Sequence, residues 1–333
     1  MIFWFTLLML SVILISGWTD AAGAVTACVS VRSLPKEKAL RLAAISTFLG
    51  SLLLTILNPA IAVTFYGIAD FGHDSARALA ALCAALCATV LWSGGTRALG
   101  IPTSEGHALV SGMSGAALAS TGTLSSIHTD EWLRILLGCL LSVMLPISLS
   151  FLFNRILRAF LAEKNRRSTL SYFQRSQRFS ACWNAALTGA QDCQKFMGVY
   201  MIGLSMLGEE TRQFSRVPLS VILLSAGVMA MGTMLGSTHV IKKVGRDMAS
   251  LDAPSYSAAG VASTLAMTLC TCVGLPASIT HTRASAFVGA GLCQKHTVNL
   301  RVALQILWSW LLTFPACAAL GFLFCHALMC LGA

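Results

Sequence analysis

Charged side chains are scarce in this chain: Asp, Glu, Lys and Arg together make up 11% of its 333 residues. A soluble domain carries about 25%, so the chain has too few charges to cover a water-exposed surface. Hydrophobic residues reach 56%, and apolar runs near the roughly 20 residues that cross a bilayer recur along the whole length. The composition excludes a soluble protein and predicts an all-α polytopic membrane protein embedded in the lipid bilayer.

Other features are missing as well. The 12 cysteines include no C-x-x-C pair with zinc spacing, and most lie in apolar runs, where Cys acts as a small hydrophobe. The long apolar runs do not alternate with polar residues as the strands of a membrane β-barrel would. The net charge of +10 comes from basic residues in short loops between apolar runs, which is how membrane topology is encoded. We therefore expect no nucleic-acid partner.

The apolar runs predict about ten membrane segments, with 10–12 as the range, in two inverted repeats. The predicted domains are an N-terminal repeat at 1–157, a basic cytoplasmic linker at 158–180 and a C-terminal inverted repeat at 181–333. Basic and acidic loops alternate, and the positive-inside rule places the basic side in the cytoplasm of a multi-pass plasma-membrane protein with both termini outside. The predicted helices cover roughly 2–31 (interrupted near 17–23), 42–66, 76–92, 107–120, 132–157, 181–207, 217–240, 256–273, 281–295 and 302–331.

Two motifs occur once in each half. The motif P-T-S-E-G-H at Pro102 returns 174 residues later as P-A-S-I-T-H at Pro276. The motif G-W-T-D at Gly17 returns 172 residues later as G-A-Q-D at Gly189. Interrupted or re-entrant helices at matching places in two inverted halves are typical of a secondary transporter with its site near the bilayer midplane.

Each proline motif predicts a break in the membrane followed by a new helix. Pro ends an incoming helix and suits the first turn of the next, and Ser104 or Ser278 can then cap the new start. The unpaired N–H groups of such a start bind anions, and Thr103 and Thr280 add hydroxyl donors. The residues predicted to support the helix ends are Pro102, His107, Pro276 and His281.

Asp20 and Asp192 lie within apolar runs, where a carboxylate costs about 2.5–3.5 kcal/mol on insertion scales and is functional by default. They would repel a bare anion, but would hold Na⁺ or a proton beside it. Gln191 and Gln194 supply carbonyl oxygens for a cation or N–H donors for an oxyanion. The predicted coupling-ion residues are Asp20, Asp192, Glu105, Thr19 and Gln191, and a Na⁺ ion would bind at the two aspartates. As an alternative, Asp192 is a structural acid paired with Lys195, its i+3 neighbour.

The chain resembles the inorganic phosphate transporter (Pit) family of cation-coupled symporters. That family carries a Gly-x-Asn-Asp-type and a Pro-x-Ser-Thr-Thr-His-type motif in each half, and all four motifs occur here in the expected order. The resemblance implies uptake of inorganic phosphate by alternating access with Na⁺ or H⁺, no cofactor beyond the coupling ion, and a homodimer. It places Asp20 and Asp192 at the phosphate and coupling-ion site and matches Ser104, Ser278 and Thr280 to the family's Ser and Thr positions.

The sequence also departs from the family pattern. Thr19 and Gln191 stand where Asn is usual, and Gly23 replaces a second Asn, which weakens a sodium site. Glu105 adds a carboxylate that favours proton coupling. The alternatives are a sulfate or other oxyanion permease of the same fold, a non-transporting membrane scaffold or sensor, and an intramembrane hydrolase using Ser104 or Ser278. The last lacks a third group to orient a histidine base, and we expect the protein not to be an enzyme.

Overall fold

A computed structural model of the chain describes residues 2–21, 23–30, 32–72, 74–98, 103–161, 166–206, 216–236, 251–294 and 298–331. Within these ranges the structure is helical, apart from an isolated β-bridge between Ala69 and Ile127. Two short elements are a π-helical turn at Gly17–Ala21 and a 3₁₀ turn at Leu124–Ser126. The α-helices are α1 (Ile2–Ser16), α2 (Thr26–Ser30), α3 (Lys36–Leu57), α4 (Ala60–Tyr66), α5 (Ser75–Ala98), α6 (Glu105–Thr121), α7 (Thr129–Leu161), α8 (Arg166–Ser205), α9 (Leu219–Leu235), α10 (Ala253–Val273), α11 (Ile279–Cys293) and α12 (Leu300–Cys330).

The helices confirm an all-α membrane protein. In the described part of the chain, six helices are long and apolar enough to cross a bilayer: α1 with its π-helical turn, α3, α5, α7, α10 and α12. The helices that follow the proline motifs are shorter, 17 residues in α6 and 15 in α11, as expected of broken segments. The number of crossings, predicted as about ten, stays a prediction.

Two predicted boundaries are wrong. The predicted helix at 42–66 is two helices, because Pro59 restricts the residue before it and Asn58 adopts an extended conformation between α3 and α4. The basic linker predicted at 158–180 is largely helical in its described residues, since α7 runs to Leu161 and α8 begins at Arg166. Arg158 and Arg178 instead bind the ends of other elements, Arg158 through Asp252 at 2.9 Å and Arg178 through the Ser33 carbonyl at 2.7 Å.

The order of the elements repeats along the chain. A segment bearing an aspartate motif, two further helices, a short helix after a proline motif and a long proline-containing helix occur first as α1, α3, α5, α6 and α7, with the short helices α2 and α4 between them. They recur as α8 to α12, with Pro146 inside α7 and Pro315 inside α12. This order supports the two predicted repeats, whose inverted relation stays a prediction.

The two sets of helices interlock through glycines. A side chain at Gly115 of α6 would collide with the carbonyl oxygen of Ala318 in α12, and one at Gly289 of α11 would collide with that of Ile147 in α7. Each short helix therefore packs along the long final helix of the opposite set. Phe5, Phe65 and Phe196 belong to the largest buried apolar cluster, which packs α1 against α4 and α8.

Candidate functional site

The starts of α6 and α11 meet near the centre of the molecule. Ser104 accepts a hydrogen bond from the His107 N–H at 3.4 Å, and Ser278 accepts one from the His281 N–H at 3.5 Å. These bonds confirm both predicted serine caps. The Thr280 hydroxyl lies 3.4 Å from the Thr103 carbonyl oxygen, so the two starts are in direct contact. Pro102 lies outside the described residues, whereas Pro276 packs its carbonyl against Gly138 of α7.

Each start keeps N–H groups that the helix itself does not satisfy. The first N–H groups of an α-helix have no intrahelical acceptor, and each serine cap occupies only the third. The N–H groups at positions 105 and 106 in α6 and 279 and 280 in α11 therefore have no acceptor within their own helix. Such an end also carries a partial positive charge, which favours an anion near the pair of starts.

Lys195 lies between these two starts, and our sequence analysis did not include it in the site. Its ammonium donates to Asp192 Oδ1 at 2.9 Å and to the Ala277 carbonyl at 3.0 Å, and both side chains of the ion pair are only 4% exposed. The lysine stem also crosses Gly106, where a Cβ atom would lie 3.2 Å from the Lys195 ammonium. The pairing of Asp192 with Lys195 is confirmed, but the lysine in addition contacts both anion-binding helix starts.

The two glutamines bind protein backbone. Gln191 accepts from the Ala277 N–H at 3.0 Å and donates to Thr271 at 3.0 Å and to the Leu275 carbonyl at 3.3 Å. Gln194 donates to the Asn58 carbonyl at 3.0 Å. Gln191 therefore holds the turn that precedes α11. In this structure its amide positions the site through that turn, and the predicted direct contact of either glutamine with an ion stays a prediction.

The π-helical turn brings the N-terminal motif to the same place. Its Thr19 hydroxyl lies 3.2 Å from Glu105 Oε1 at the start of α6, and the Ser16 hydroxyl donates to Asp192 Oδ2 at 3.4 Å. Asp20 is buried on the same turn. The structure therefore brings the predicted coupling-ion residues close to one another, and Asp192 is hydrogen-bonded to Ser16, the residue that precedes the N-terminal motif.

Arg283 of α11 is a second buried cation that sequence reasoning missed. Its guanidinium donates to the Thr188 hydroxyl at 2.6 Å and to the carbonyl oxygen of Asp20. A signal was present, because a charged residue in a membrane segment is functional by default and Arg283 follows the second proline motif by only a few residues. It ties the N-terminal motif to the second broken helix.

Besides His107 and His281, five buried ionisable side chains surround the helix starts: Asp20, Glu105, Asp192, Lys195 and Arg283. If all were ionised, the three carboxylates and two cations would leave one net negative charge. A proton taken up by a carboxylate would neutralise that charge, whereas an anion bound without a proton would add to it.

Comparisons with known proteins agree with this arrangement. A model of the phosphate transporter family matches residues 16–321. A probable low-affinity inorganic phosphate transporter of Bacillus subtilis is 28% identical over 92% of this chain and 91% of its own length. A relative of the same description from Rhizobium meliloti is 29% identical over 92% of this chain and 90% of its own. A solved structure described as the sodium-dependent phosphate transporter has the same fold, with a TM-score of 0.88, 18% identity and 99% coverage of both chains.

Proposed function

The chain belongs to the phosphate transporter family, and we propose that it carries inorganic phosphate into the cell by alternating access, in symport with protons. One observation carries this proposal: two broken helix starts from different halves touch each other and share the buried ammonium of Lys195. Membership of a transporter family argues against the hydrolase and against a protein that only senses or scaffolds.

The anion would bind between the starts of α6 and α11. The N–H groups at both starts and the hydroxyls of Thr103, Ser104, Ser278 and Thr280 supply donors. Lys195 would exchange its contact with the Ala277 carbonyl for a phosphate oxygen, because a charge-assisted hydrogen bond to an oxyanion is the stronger one. The ammonium then links the anion to Asp192.

The carboxylates favour phosphate over sulfate. Near neutral pH, phosphate still carries a P–OH group that donates a hydrogen bond, whereas sulfate is fully ionised and only accepts. Glu105, the first residue of α6, and Asp192 offer carboxylate acceptors beside the proposed site. A carboxylate binds an anion that can donate a hydrogen bond to it and repels an anion that cannot. A site whose buried polar groups would be left without hydrogen bonds discriminates strongly against the wrong ligand.

The resident cations favour protons over sodium as the coupling ion. Lys195 takes a carboxylate oxygen and a backbone carbonyl as partners, which are the ligands that a hard cation would use. Its ammonium therefore fills the position next to Asp192 that a sodium ion would need. A proton on Asp20, Glu105 or Asp192 requires no such space. A mouse relative over 43% of the chain is described as a sodium-dependent phosphate transporter, so the coupling ion is the point to test.

The experiment is radiolabelled phosphate uptake into proteoliposomes containing the full chain. We expect an inward proton gradient to drive accumulation, a sodium gradient alone to have no effect, and excess sulfate to compete weakly. Glu105→Gln should abolish the response to the proton gradient, while Glu131→Gln, a change at an acid outside the site, should not. Accumulation driven by sodium at constant pH would overturn proton coupling, and sulfate uptake at the rate of phosphate would overturn the substrate. The homodimer and the extracytoplasmic termini remain predictions.

A further inference from the structure

One turn beyond each capping serine, three side chains from three helices form a cluster that the transport proposal does not use. His107, Cys139 and His281 come from α6, α7 and α11, and their candidate ligand atoms all lie within 4.8 Å of one another. Both imidazoles are buried, His107 Nδ1 has no hydrogen-bond partner among the described residues, and His281 directs its Nδ1 at the Cys139 thiol. Because an unsatisfied buried polar atom costs about 1–3 kcal/mol, the cluster has unused binding capacity.

The geometry of the cluster suits a metal ion. Cys139 Sγ and His281 Nδ1 are 3.6 Å apart. An ion about 2.3 Å from a thiolate and about 2.0 Å from an imidazole nitrogen joins atoms at this separation with an angle between tetrahedral and trigonal. The two imidazole planes are inclined at 63° with centroids 4.8 Å apart, so the rings do not stack and both can direct a nitrogen towards one point near the thiol.

The surroundings select the charge of the ion. Trp310 covers His281 with ring centroids 3.6 Å apart, and Phe314 covers His107 at 4.9 Å, so the rings lie in an apolar shell where a net charge is costly. The Lys195 ammonium also interacts electrostatically with both rings and opposes further positive charge. A thiolate with two neutral imidazoles carries one negative charge, which a monovalent cation cancels and a divalent cation exceeds.

We propose that His107, Cys139 and His281 bind one soft monovalent metal ion, Cu(I) or its redox-inert analogue Ag(I). Thiolate favours soft ions and imidazole accepts copper. On binding, the Cys139 thiol releases its proton to solvent, both imidazoles stay neutral, and no electron is transferred. The bound ion would join the first turns of α6 and α11 to α7, and would hold the two anion-binding helix starts in the arrangement seen here.

The test is an anaerobic titration of the purified full chain with Cu(I) in competition with a chromophoric Cu(I) chelator. Because the chain has 12 cysteines, the comparison is made between matched variants. Cys139→Ser is compared with Cys87→Ser, a change at another partly buried helical cysteine, and His281→Ala with His326→Ala, a change at an exposed histidine. We expect the wild type and the two controls to hold one Cu(I) that Cys139→Ser and His281→Ala bind at least about 100-fold more weakly.

Equal retention of Cu(I) by the wild type and all four variants would overturn the proposal. A cluster that binds one Zn(II) tightly but does not bind Cu(I) would also overturn it. X-ray absorption at the copper edge of the one-equivalent sample should show one sulfur and two nitrogen neighbours, and all-sulfur coordination would also overturn it. If His281→Ala elutes as an aggregate, the rate at which the Cys139 thiol of the wild type is alkylated tests the site instead. One equivalent of Ag(I) should then slow modification of Cys139, and an unchanged rate at Cys139 would refute the site.

Discussion

The two copies of the aspartate motif are built differently. Asp192 lies in the interior of α8, a continuous helix of 40 residues, and its carboxylate is held by Lys195 on the same helix. Asp20 lies on a π-helical turn of five residues that interrupts the corresponding N-terminal segment, where its carbonyl accepts from Arg283 of α11. One copy is fixed by its own helix, and the other is fixed by a helix from the opposite half.

This difference assigns distinct tasks to the two halves. A π-helical turn inside an α-helix is rare and frequently marks a functional site, because it changes the helix register at low structural cost. We infer that the C-terminal motif forms a rigid frame and that the N-terminal motif adjusts as the site changes access. Substitutions of the aspartates and of the glycines in the two motifs test this inference.

The largest effect is expected from Asp192→Asn. The change leaves the Lys195 ammonium buried without its carboxylate, and breaking a buried ion pair from one side costs about 3–5 kcal/mol. Asp20→Asn should cost less, because Arg283 loses the attraction of the Asp20 charge but keeps its hydrogen bonds to the Asp20 backbone carbonyl and the Thr188 hydroxyl. Thermal unfolding of the purified variants in detergent measures both.

The double variant Asp192→Asn/Lys195→Met is the control for that experiment. Removal of both charges should restore most of the lost stability, since replacing a buried pair by apolar groups is often neutral. Phosphate uptake should nevertheless stay absent. Equal destabilisation by Asp20→Asn and Asp192→Asn would remove the proposed difference between a rigid and an adjustable motif.

A smaller effect is expected at the glycines that open the two motifs. A Cβ at Gly189 would collide with the Thr47 carbonyl of α3, and one at Gly17 with the Met229 carbonyl of α9. Overpacking typically costs about 1–3 kcal/mol. We expect Gly189→Ala to reach that range and Gly17→Ala to cost less, because the π-helical turn can shift away from α9.

Gly227→Ala in α9 is the matched control, since no atom lies within 4 Å of a Cβ at that position. Alanine is favoured over glycine in a helix by about 1 kcal/mol, so this variant should be as stable as the wild type or more stable. The midpoint of thermal unfolding is again the measurement. A larger loss in Gly17→Ala than in Gly189→Ala would reverse the assignment of the adjustable half.

The smallest effect concerns the acids that cap α5 and α10. Asp74 accepts a hydrogen bond from the backbone N–H of Ala76 and forms a solvent-exposed salt bridge with Arg77. Asp252 pairs with Arg158 at 2.9 Å and accepts from the Ser255 N–H. Burial raises the pKa of Asp252, but the hydrogen bonds from Ser255 and the Arg158 guanidinium outweigh it and hold the pKa below its usual value.

A carboxyl group whose pKa is lower in the folded state than in the unfolded state stabilises the fold at pH values above its unfolded-state pKa, which is about 3.9 for Asp. This contribution is lost as the pH falls through the folded-state pKa. Because the pair is partly exposed, we expect less than about 1 kcal/mol. Asp252→Asn should therefore flatten the fall in unfolding temperature below about pH 4. A slope unaffected by Asp252→Asn would show that this capping pair contributes no pH dependence.

Local patterns in the sequence predicted the helix starts well. The serine caps of α6 and α11 and the interruption near Gly17 follow from residue types acting within one turn, and the structure confirms them. The roles of Lys195 and the glutamines depend on which distant segments meet them, such as the Ala277 carbonyl and amide. No spacing along the chain carries that information.

Two misses have a different origin. Pro59 was visible in the sequence, but the apolar residues on both sides favoured a single helix over 42–66, and the conformational restriction before proline prevailed. The basic residues at the end of α7 and the start of α8 suggested a loop, because clusters of positive charge were taken only as a sign of a cytoplasmic loop between membrane segments. Arg158 shows that a helix end can carry the same charge and use it to bind another helix.

The interlocked packing of α6 and α12 has a consequence for synthesis of the protein. Gly112 and Gly115 of α6 lie against Gly321 and Ala318 of α12, and the ribosome completes α12 long after α6 has entered the membrane. Until then one face of α6 lacks its final partner, while another face already packs against α5 through Gly112 and Ala85. The helix that carries the first broken start therefore reaches its final packing only when α12, one of the last segments made, joins it.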